Sequence, residues 1–267
     1  MKMFRRLLMV VFCGVSVVSC FDPPEYPDEP EIVFKSVNYV EVPDLPNGEV
    51  VADSVILTLR FKDGDGNLGL GGNETLPPFN DRWYYFKRPL DATINPECAP
   101  FKNEHRCFYV RKAEVEKFID YADKLRGLPP FDTLKDFVKP WNCLNWDVVR
   151  DENDQLVDSL YFTLNPHYSN IFVEFQTKVG GDYQAFSWSN FLTYPSCEVQ
   201  GFNGRFPLLT DTGGETPLEG EIRYSMPSPF FRIIFGSQTL RLKVYIEDRA
   251  LNQSNVIYTN DFNLVTQ

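Results

Sequence analysis

Apolar and polar residues alternate along several stretches of the chain, which is the pattern of β-strands that bury one face. The clearest stretch is residues 53–62, where an entirely apolar face is backed by Thr58, Arg60 and Lys62. The alternation returns over residues 240–247. Further strands are predicted at residues 31–42, 171–179, 183–188, 221–226 and 256–264. Together these patterns predict a mainly all-β fold.

Residues 75–165 are predicted to form a long insertion between the early strand and the later ones. One helix is predicted within it, at residues 111–125, where apolar residues including Phe118, Ile119 and Leu125 recur at helical spacing. Long insertions often carry function. The aromatic run Trp83, Tyr84 and Tyr85 in this insertion is therefore a candidate contact for a partner protein or a glycan.

An acidic turn follows the strand at residues 53–62. Asp63, Asp65 and Asn67 occupy alternate positions separated by glycines, so the turn can fold its side-chain oxygens around one hard cation such as calcium. The spacing resembles the start of an EF-hand loop, with Glu74 at the twelfth position. Leu68 replaces the glycine of the sixth position, and a strand rather than a helix precedes the turn. The alternative is a metal-free tight turn, since Asp, Asn and Gly are common turn residues.

The order of strands resembles an immunoglobulin-like β-sandwich spanning residues 31–267, with residues 53–62 as strand B and the last hairpin as strands F and G. In that fold the loop after strand B and the loop between F and G emerge at the same end. The resemblance implies that Asp248, Asn252 and Asn255 can approach the first acidic turn. Asp248 and Asn252 are thus predicted to complete a calcium site with Asp63, Asp65 and Asn67.

The N-terminus has the features of an export signal. Residues 1–19 have a basic start and an apolar run too short to span a bilayer, and Cys20 follows them directly. The last residues resemble a bacterial lipobox, which implies that Cys20 carries a lipid and that Cys13 is removed. An ordinary signal peptide is the alternative. Residues 20–30 alternate prolines with acidic residues and are predicted to be an extended tether.

Four cysteines remain after removal of the signal: Cys98, Cys107, Cys143 and Cys197. An even number in an oxidising compartment favours two disulfides, for which three connectivities are possible. The short loop between Cys98 and Cys107 favours that pair, which leaves Cys143 with Cys197. A zinc site is disfavoured because no Cys-x-x-Cys motif is present.

Charge and histidine content limit the classes of function. Without residues 1–19 the chain has 37 acidic and 23 basic residues, a net charge of about −14, which argues against nucleic acid as a partner. The two histidines, His105 and His167, lie in no recognisable catalytic or metal-binding motif. The protein is therefore predicted not to be an enzyme.

The sequences at residues 61–70 (FKDGDGNLGL) and 247–255 (EDRALNQSN) resemble a family of uncharacterised Bacteroidota outer-membrane lipoproteins. The resemblance extends to the lipobox, the tether and both ends of the β domain, but does not clearly cover residues 75–165. It implies a lipid anchor in the outer membrane, with display at the cell surface favoured over the periplasm, and it implies no known activity.

Two functions are consistent with these features. The first is an accessory or docking subunit of an outer-membrane protein complex for barrel assembly, secretion or uptake, whose partner is a β-barrel protein or another lipoprotein. The second is a surface glycan-binding lipoprotein, for which the high aromatic content and the predicted calcium site are the reasons.

Overall fold

The computed structural model describes residues 25–43, 46, 51–85, 106–107, 118–127, 134, 145–150, 153, 155–188, 201–209 and 216–264. The predicted signal, the lipid anchor at Cys20 and three of the predicted disulfide cysteines, Cys98, Cys143 and Cys197, lie outside this part of the chain, as does the side chain of Cys107. Those predictions therefore stay predictions.

Eleven β-strands are present in the described part of the chain, and they form three antiparallel sheets. Their bounds are β1 Glu31–Val40, β2 Asp53–Asp63, β3 Arg82–Tyr85, β4 Arg106–Cys107, β5 Trp146–Arg150, β6 Leu156–Leu164, β7 Ile171–Val179, β8 Asp182–Ala185, β9 Leu218–Ser228, β10 Leu240–Ile246 and β11 Ile257–Tyr258. The predicted all-β class is confirmed. Its immunoglobulin-like subtype stays a prediction.

Two of the sheets share one apolar core. The first has the order β1-β2-β9 and the second the order β11-β10-β7-β8. The apolar faces of β2 and β10 are both almost fully buried, as their alternation predicts, and they belong to a single cluster together with residues of β7 and β9. The two sheets therefore pack as layers against each other, which places the C-terminal end of β2 near the loop that follows β10.

The third sheet, β4-β3-β6-β5, is built from the predicted insertion. Its buried side chains include Trp146, Leu160 and Phe162, and Phe118 packs edge-on against Tyr84 of β3. The insertion therefore has a small core of its own.

The helix predicted at residues 111–125 is confirmed over Tyr121–Leu125 and is wrong over residues 118–120; residues 111–117 lie outside the described part of the chain. Asp120 ends the extended segment before it and caps the helix by accepting a hydrogen bond from the Asp123 N–H at 2.8 Å. Ile119 pairs with the sheet, donating to the Tyr85 carbonyl and accepting from the Tyr161 N–H. Phe118 and Ile119 are buried by this pairing rather than by a helical face.

The last predicted strand, residues 256–264, is also shorter than expected, since only Ile257–Tyr258 is regular. Beyond β11, Thr259 contacts β10 through its side chain as well as its backbone. Its hydroxyl accepts a hydrogen bond from the Leu242 N–H, and its own N–H donates to the Leu242 carbonyl. A second α-helix, Phe231–Phe235, follows β9. None of the described helices is both long and apolar enough to cross a membrane.

Candidate metal centre

Two loops that are about 180 residues apart in sequence meet at one end of the two-sheet core. Asp63 is the last residue of β2, Asp65 follows in the turn, and Asp248 lies just after β10. One oxygen atom from each of the three carboxylates lies within 4.8 Å of the other two. The predicted meeting of the acidic turn with Asp248 is therefore present in the structure.

Asp63 is an unusual buried carboxylate, and Asp53 at the other end of the same strand provides the comparison. Both side chains are 0% exposed. Asp53 accepts hydrogen bonds from the Tyr39 hydroxyl at 2.6 Å and from the Val42 N–H at 3.0 Å, and it pairs with Arg232 at 2.8 Å. Within the described residues, neither oxygen of Asp63 has a hydrogen-bond partner. The charged form of a buried carboxylate without partners is strongly disfavoured unless a cation compensates it.

The pKa values of Asp63 and Asp53 are shifted in opposite directions, because the two carboxylates have different partners. Burial raises the pKa of Asp63 to about 7, the neighbouring carboxylates of Asp65 and Asp248 add to the shift, and the nearby backbone N–H groups of Asn67 and Gly66 oppose it only in part. Burial alone would also raise the pKa of Asp53, but the hydrogen bonds from Tyr39 and Val42 and the charge of Arg232 outweigh it and lower that pKa. Among the described residues, Asp63 thus has no basic side chain as a partner, whereas Asp53 has Arg232.

Asn67 and Asn252 hold two of the acidic side chains in position. The Asn67 amide donates to Asp65 at 2.6 Å, and the Asn252 amide donates to Asp248 at 2.8 Å. The side-chain oxygen of Asn67 accepts a hydrogen bond from the Arg249 N–H at 3.4 Å, which links the two loops. Both asparagines therefore belong to the site as predicted neighbours of the acids, and direct ligation by them stays a prediction.

Two other candidate side chains have different partners. Glu74, at the twelfth position of the EF-hand-like spacing, accepts from the Gly71 N–H at 2.5 Å and pairs with Arg249 at 2.5 Å. Asn255 binds the backbone of Ile32 at both its amide atoms, at 2.8 and 2.9 Å. The cluster of acids that the described residues form is thus Asp63, Asp65 and Asp248.

Special backbone conformations shape both loops. Gly66 has a φ of +69°, and a Cβ atom there would lie 2.2 Å from the Thr216 carbonyl oxygen, so glycine is required by conformation and by space. Leu251, between Asp248 and Asn252, has a φ of +67°, which costs a non-glycine residue about 1 kcal/mol or more. The loop after β10 therefore keeps a strained residue while it presents Asp248.

The donor set is suited to a hard divalent cation. Three carboxylates converge, and no histidine or cysteine of the described residues joins them; oxygen ligands select calcium, magnesium or manganese over zinc and copper. Calcium takes six to eight oxygens, so backbone carbonyls, water or the asparagine side chains would have to supply the remainder. Asp63, with two buried and unpaired oxygens, is the residue that fits such an ion best.

Arg205 and Asn170 organise the surroundings of this site, and the sequence gives no local sign of either role. The Arg205 guanidinium donates to the backbone carbonyls of Tyr168, Gly71, Glu74 and Phe79. The buried amide of Asn170 exchanges hydrogen bonds with the backbone of Phe206 at 2.9 and 3.1 Å. Because Phe206 in turn accepts from the Leu70 N–H at 3.0 Å, residues 205 and 206 fasten the chain that follows the acidic turn.

The predicted aromatic contacts lie on β3 and are half-buried. The Trp83 ring packs at a tilt against His167, with 6.1 Å between ring centroids. The Tyr84 hydroxyl binds Asp147 at 2.5 Å, and that of Tyr85 lies 2.9 Å from the Thr163 hydroxyl. These side chains therefore support the third sheet, and none of the three described tryptophans, Trp83, Trp146 and Trp188, is fully exposed.

Asp63 predicts an inverted pH dependence of stability in cation-free protein. Its folded pKa is raised to about 7, above an unfolded value near 4, so the folded state holds the proton more tightly. The contribution of Asp63 to the free energy of unfolding is then fully present below pH ~4. On the order of 4 kcal/mol of it is lost as pH rises towards ~7.

Urea unfolding in chelator at pH 4.5, 6 and 8 measures this effect as the difference between wild type and Asp63→Asn. As pH rises, the free energy of unfolding of the wild type is expected to fall relative to that of Asp63→Asn. A difference that is constant with pH would contradict the assigned burial of an unpaired carboxylate.

Comparison of the chain with protein-family models, with curated proteins and with solved structures finds no match.

Proposed function

We propose that the protein is a lipid-anchored, non-enzymatic accessory subunit of an outer-membrane protein complex, and that a calcium ion between Asp63, Asp65 and Asp248 stiffens its β domain. The single observation that carries the calcium part is the Asp63 carboxylate, which is fully buried, unpaired and directed towards two further carboxylates. Calcium is the natural choice among hard cations for a protein exported to a compartment rich in that ion, and its flexible geometry suits a site made from two separate loops.

The docking role is supported by the way in which the inserted segment joins the metal centre. At its start, Glu74 pairs with Arg249, the residue after Asp248, and the Phe79 carbonyl binds Arg205 at 2.5 Å. Just beyond its end, His167 lies 2.9 Å from Glu247, the residue before Asp248. An ion that fixes the loop at residues 247–249 would therefore also fix both ends of the insertion.

The insertion also offers apolar surface for a partner. Leu76 and Leu125 are 70% and 71% exposed, although both belong to a segment that has a core of its own. Leu76 lies in the bend before β3 and Leu125 ends the helix Tyr121–Leu125, so the inserted segment has exposed apolar side chains that a partner can cover. The proposed partner is an outer-membrane β-barrel protein or another lipoprotein.

The proposed subtype of the fold is immunoglobulin-like. With β1, β2 and β9 as strands A, B and E, and β7, β8, β10 and β11 as C, C′, F and G, the two sheets have the orders A-B-E and G-F-C-C′. These are the orders expected for that sandwich. The third sheet then lies in the connection between strands B and C.

Co-purification tests the docking role. The lipoprotein is purified from membranes solubilised in mild detergent, once with calcium and once with chelator, and the recovered proteins are identified by mass spectrometry. A stoichiometric envelope partner is expected with calcium and is expected to be lost with chelator. Recovery of the protein alone under the gentle conditions would contradict the proposal.

Two matched variants identify the surface that is used. Leu125→Lys is expected to abolish recovery of the partner, because it places a charge on the inserted segment. Ile233→Lys is the control: Ile233 is 72% exposed on the helix Phe231–Phe235, whose Arg232 contacts Asp53 at the other end of β2. Equal effects of the two substitutions would remove the insertion as the docking surface.

Glycan binding is the weaker alternative. It requires exposed aromatic rings, and the described tryptophans are engaged elsewhere: Trp146 is 1% exposed, and Trp188 packs edge-on against Phe175, Phe186 and Phe235. A carbohydrate array with no bound glycan in the presence of calcium would exclude it.

A further inference from the structure

The segment that precedes β1 lies directly on the acidic turn. The N–H of Gly64, between Asp63 and Asp65, donates to the Pro27 carbonyl at 2.8 Å. The approach is so close that a Cβ atom on Gly64 would lie 2.3 Å from the Tyr26 carbonyl oxygen and 2.6 Å from that of Pro27. Nothing larger than glycine fits here while the segment stays in place.

Side chains on both sides of the turn strengthen this contact. The Tyr26 hydroxyl donates to Glu219 at 2.7 Å, and the Lys62 ammonium lies 5.0 Å from the centre of the Tyr26 ring. Lys62 directly precedes Asp63, so both neighbours of that ligand, Lys62 and Gly64, contact the segment. Residues 26 and 27 therefore bind to the backbone and side chains that position the first two acids.

The second loop of the metal centre also holds the start of the chain. Asn255, in the loop that begins with Asp248, binds the backbone N–H and carbonyl of Ile32, the second residue of β1. Both loops that supply acids to the cluster thus contact residues 26–32. A change in the position of either loop alters the seating of this segment.

We propose that occupation of the cation site and seating of residues 25–30 are thermodynamically coupled, so that the bound ion sets the direction in which the chain leaves towards its anchor. This inference rests on the proposed cation site. Without an ion, repulsion among Asp63, Asp65 and Asp248 spreads the turn and weakens the hydrogen bond between Gly64 and Pro27. With the ion, the turn closes and the segment is seated.

Coupling must be reciprocal, because a segment that is favoured by the ion favours the ion by the same factor. Electrostatics acts in the same direction. The segment carries Glu25, Asp28 and Glu29, so its seating brings negative charge to an already acidic end of the domain, and a divalent cation relieves that repulsion. Detaching the segment is therefore expected to weaken cation binding although no acidic ligand is changed.

Calcium titration calorimetry on the chain from residue 20 onward, with Cys20→Ser to prevent lipidation, tests the coupling. Gly64→Ala is the central variant, because Gly64 does not occupy the left-handed region and the three atoms nearest to an added methyl group there all belong to the segment. Gly72→Ala is its control, since a Cβ at Gly72 has nothing within 4 Å. Gly64→Ala is expected to weaken calcium binding by at least about fivefold, and Gly72→Ala to leave it unchanged.

Tyr26→Ala weakens the same contact, between the segment and the acidic turn, by a change in the segment instead of in the turn. It is expected to weaken calcium binding as well, and the double variant Gly64→Ala/Tyr26→Ala is expected to be no weaker than Gly64→Ala alone, because the segment can be detached only once. Cleavage after Glu25 by a glutamyl endopeptidase gives a second readout. Calcium is expected to protect this bond in wild type and not in Gly64→Ala.

The outcomes separate the two proposals. If wild type binds no calcium, the proposed cation site fails, and the coupling with it. If wild type binds calcium and both Gly64→Ala and Tyr26→Ala bind it equally well, the cation site stands and the coupling is overturned. Should Gly64→Ala fail to fold, Tyr26→Ala alone decides, and an unchanged affinity again overturns the coupling. Equal weakening by Gly64→Ala and Gly72→Ala would also overturn it.

Discussion

Calcium is expected to raise the melting temperature of the wild-type protein and to leave that of Asp63→Asn unchanged. An ion that binds only the folded state at about 100 times its dissociation constant adds about 2.7 kcal/mol to the free energy of unfolding. For a chain of this size, that corresponds to roughly 5–10 °C. Differential scanning calorimetry with calcium and with chelator measures the shift.

In chelator the order of the two proteins is expected to reverse. Wild type then buries an unpaired carboxylate beside two like charges, whereas Asp63→Asn buries a neutral amide of the same shape. The variant should therefore melt above wild type at pH 8 without calcium and below it with calcium. This crossover distinguishes a ligand from a residue that merely supports the fold.

Asp53→Asn is the matched control, since Asp53 is equally buried in the same strand but has Tyr39, the Val42 N–H and Arg232 as partners. It is expected to destabilise the protein by a similar amount with and without calcium. A calcium response that survives in Asp63→Asn would contradict the assignment, as would a calcium response that is lost in Asp53→Asn.

Arg205→Ala is expected to lower the free energy of unfolding by about 3–5 kcal/mol, as measured by urea unfolding. The guanidinium donates to four backbone carbonyls, of Tyr168, Gly71, Glu74 and Phe79, and stacks 4.2 Å from the centre of the Tyr168 ring. Its removal leaves these acceptors without their donor and frees the chain between the acidic turn and the third sheet.

Arg205→Lys is expected to recover only part of this loss, because an ammonium group cannot reproduce the planar fork that reaches carbonyls in several directions. Arg60→Ala is the control: the Arg60 side chain is 67% exposed, and its ion pair with Glu221 is 3.4 Å long. That substitution should change the free energy of unfolding by less than about 0.5 kcal/mol. A loss below about 1 kcal/mol for Arg205→Ala would contradict the proposed role.

β2 and β10 were predictable because their burial has a period of two along their whole length. β7 covers the predicted residues 171–179, but its burial does not alternate, since Phe172 and Gln176 are buried as well as Ile171, Val173 and Phe175. The meeting of Asp63 with Asp248 was predictable for a further reason. Each follows a core strand, and the order of the strands brings those two strand ends to the same side of the domain.

Other features depend on partners that are far away in the sequence. Arg205 donates to backbone carbonyls that precede it by up to 134 residues. Because every residue type has a backbone carbonyl, the identities of these acceptor residues do not reveal the contact. Phe118 and Ile119 have helical spacing, yet the competing backbone of Tyr85 and Tyr161 draws them into extended pairing. Asn255 has a side chain of a type that binds calcium, but it lies opposite Ile32, and its amide forms hydrogen bonds with the backbone of β1 instead.

Crystallography with calcium shows whether the two acidic loops hold an ion. In crystals grown with calcium, we expect a single strong density peak about 2.3–2.6 Å from carboxylate oxygens of Asp63, Asp65 and Asp248, with an anomalous signal that is lost on soaking in chelator. The calcium site would be contradicted if, in crystals saturated with calcium, these three carboxylates contact only protein atoms or water.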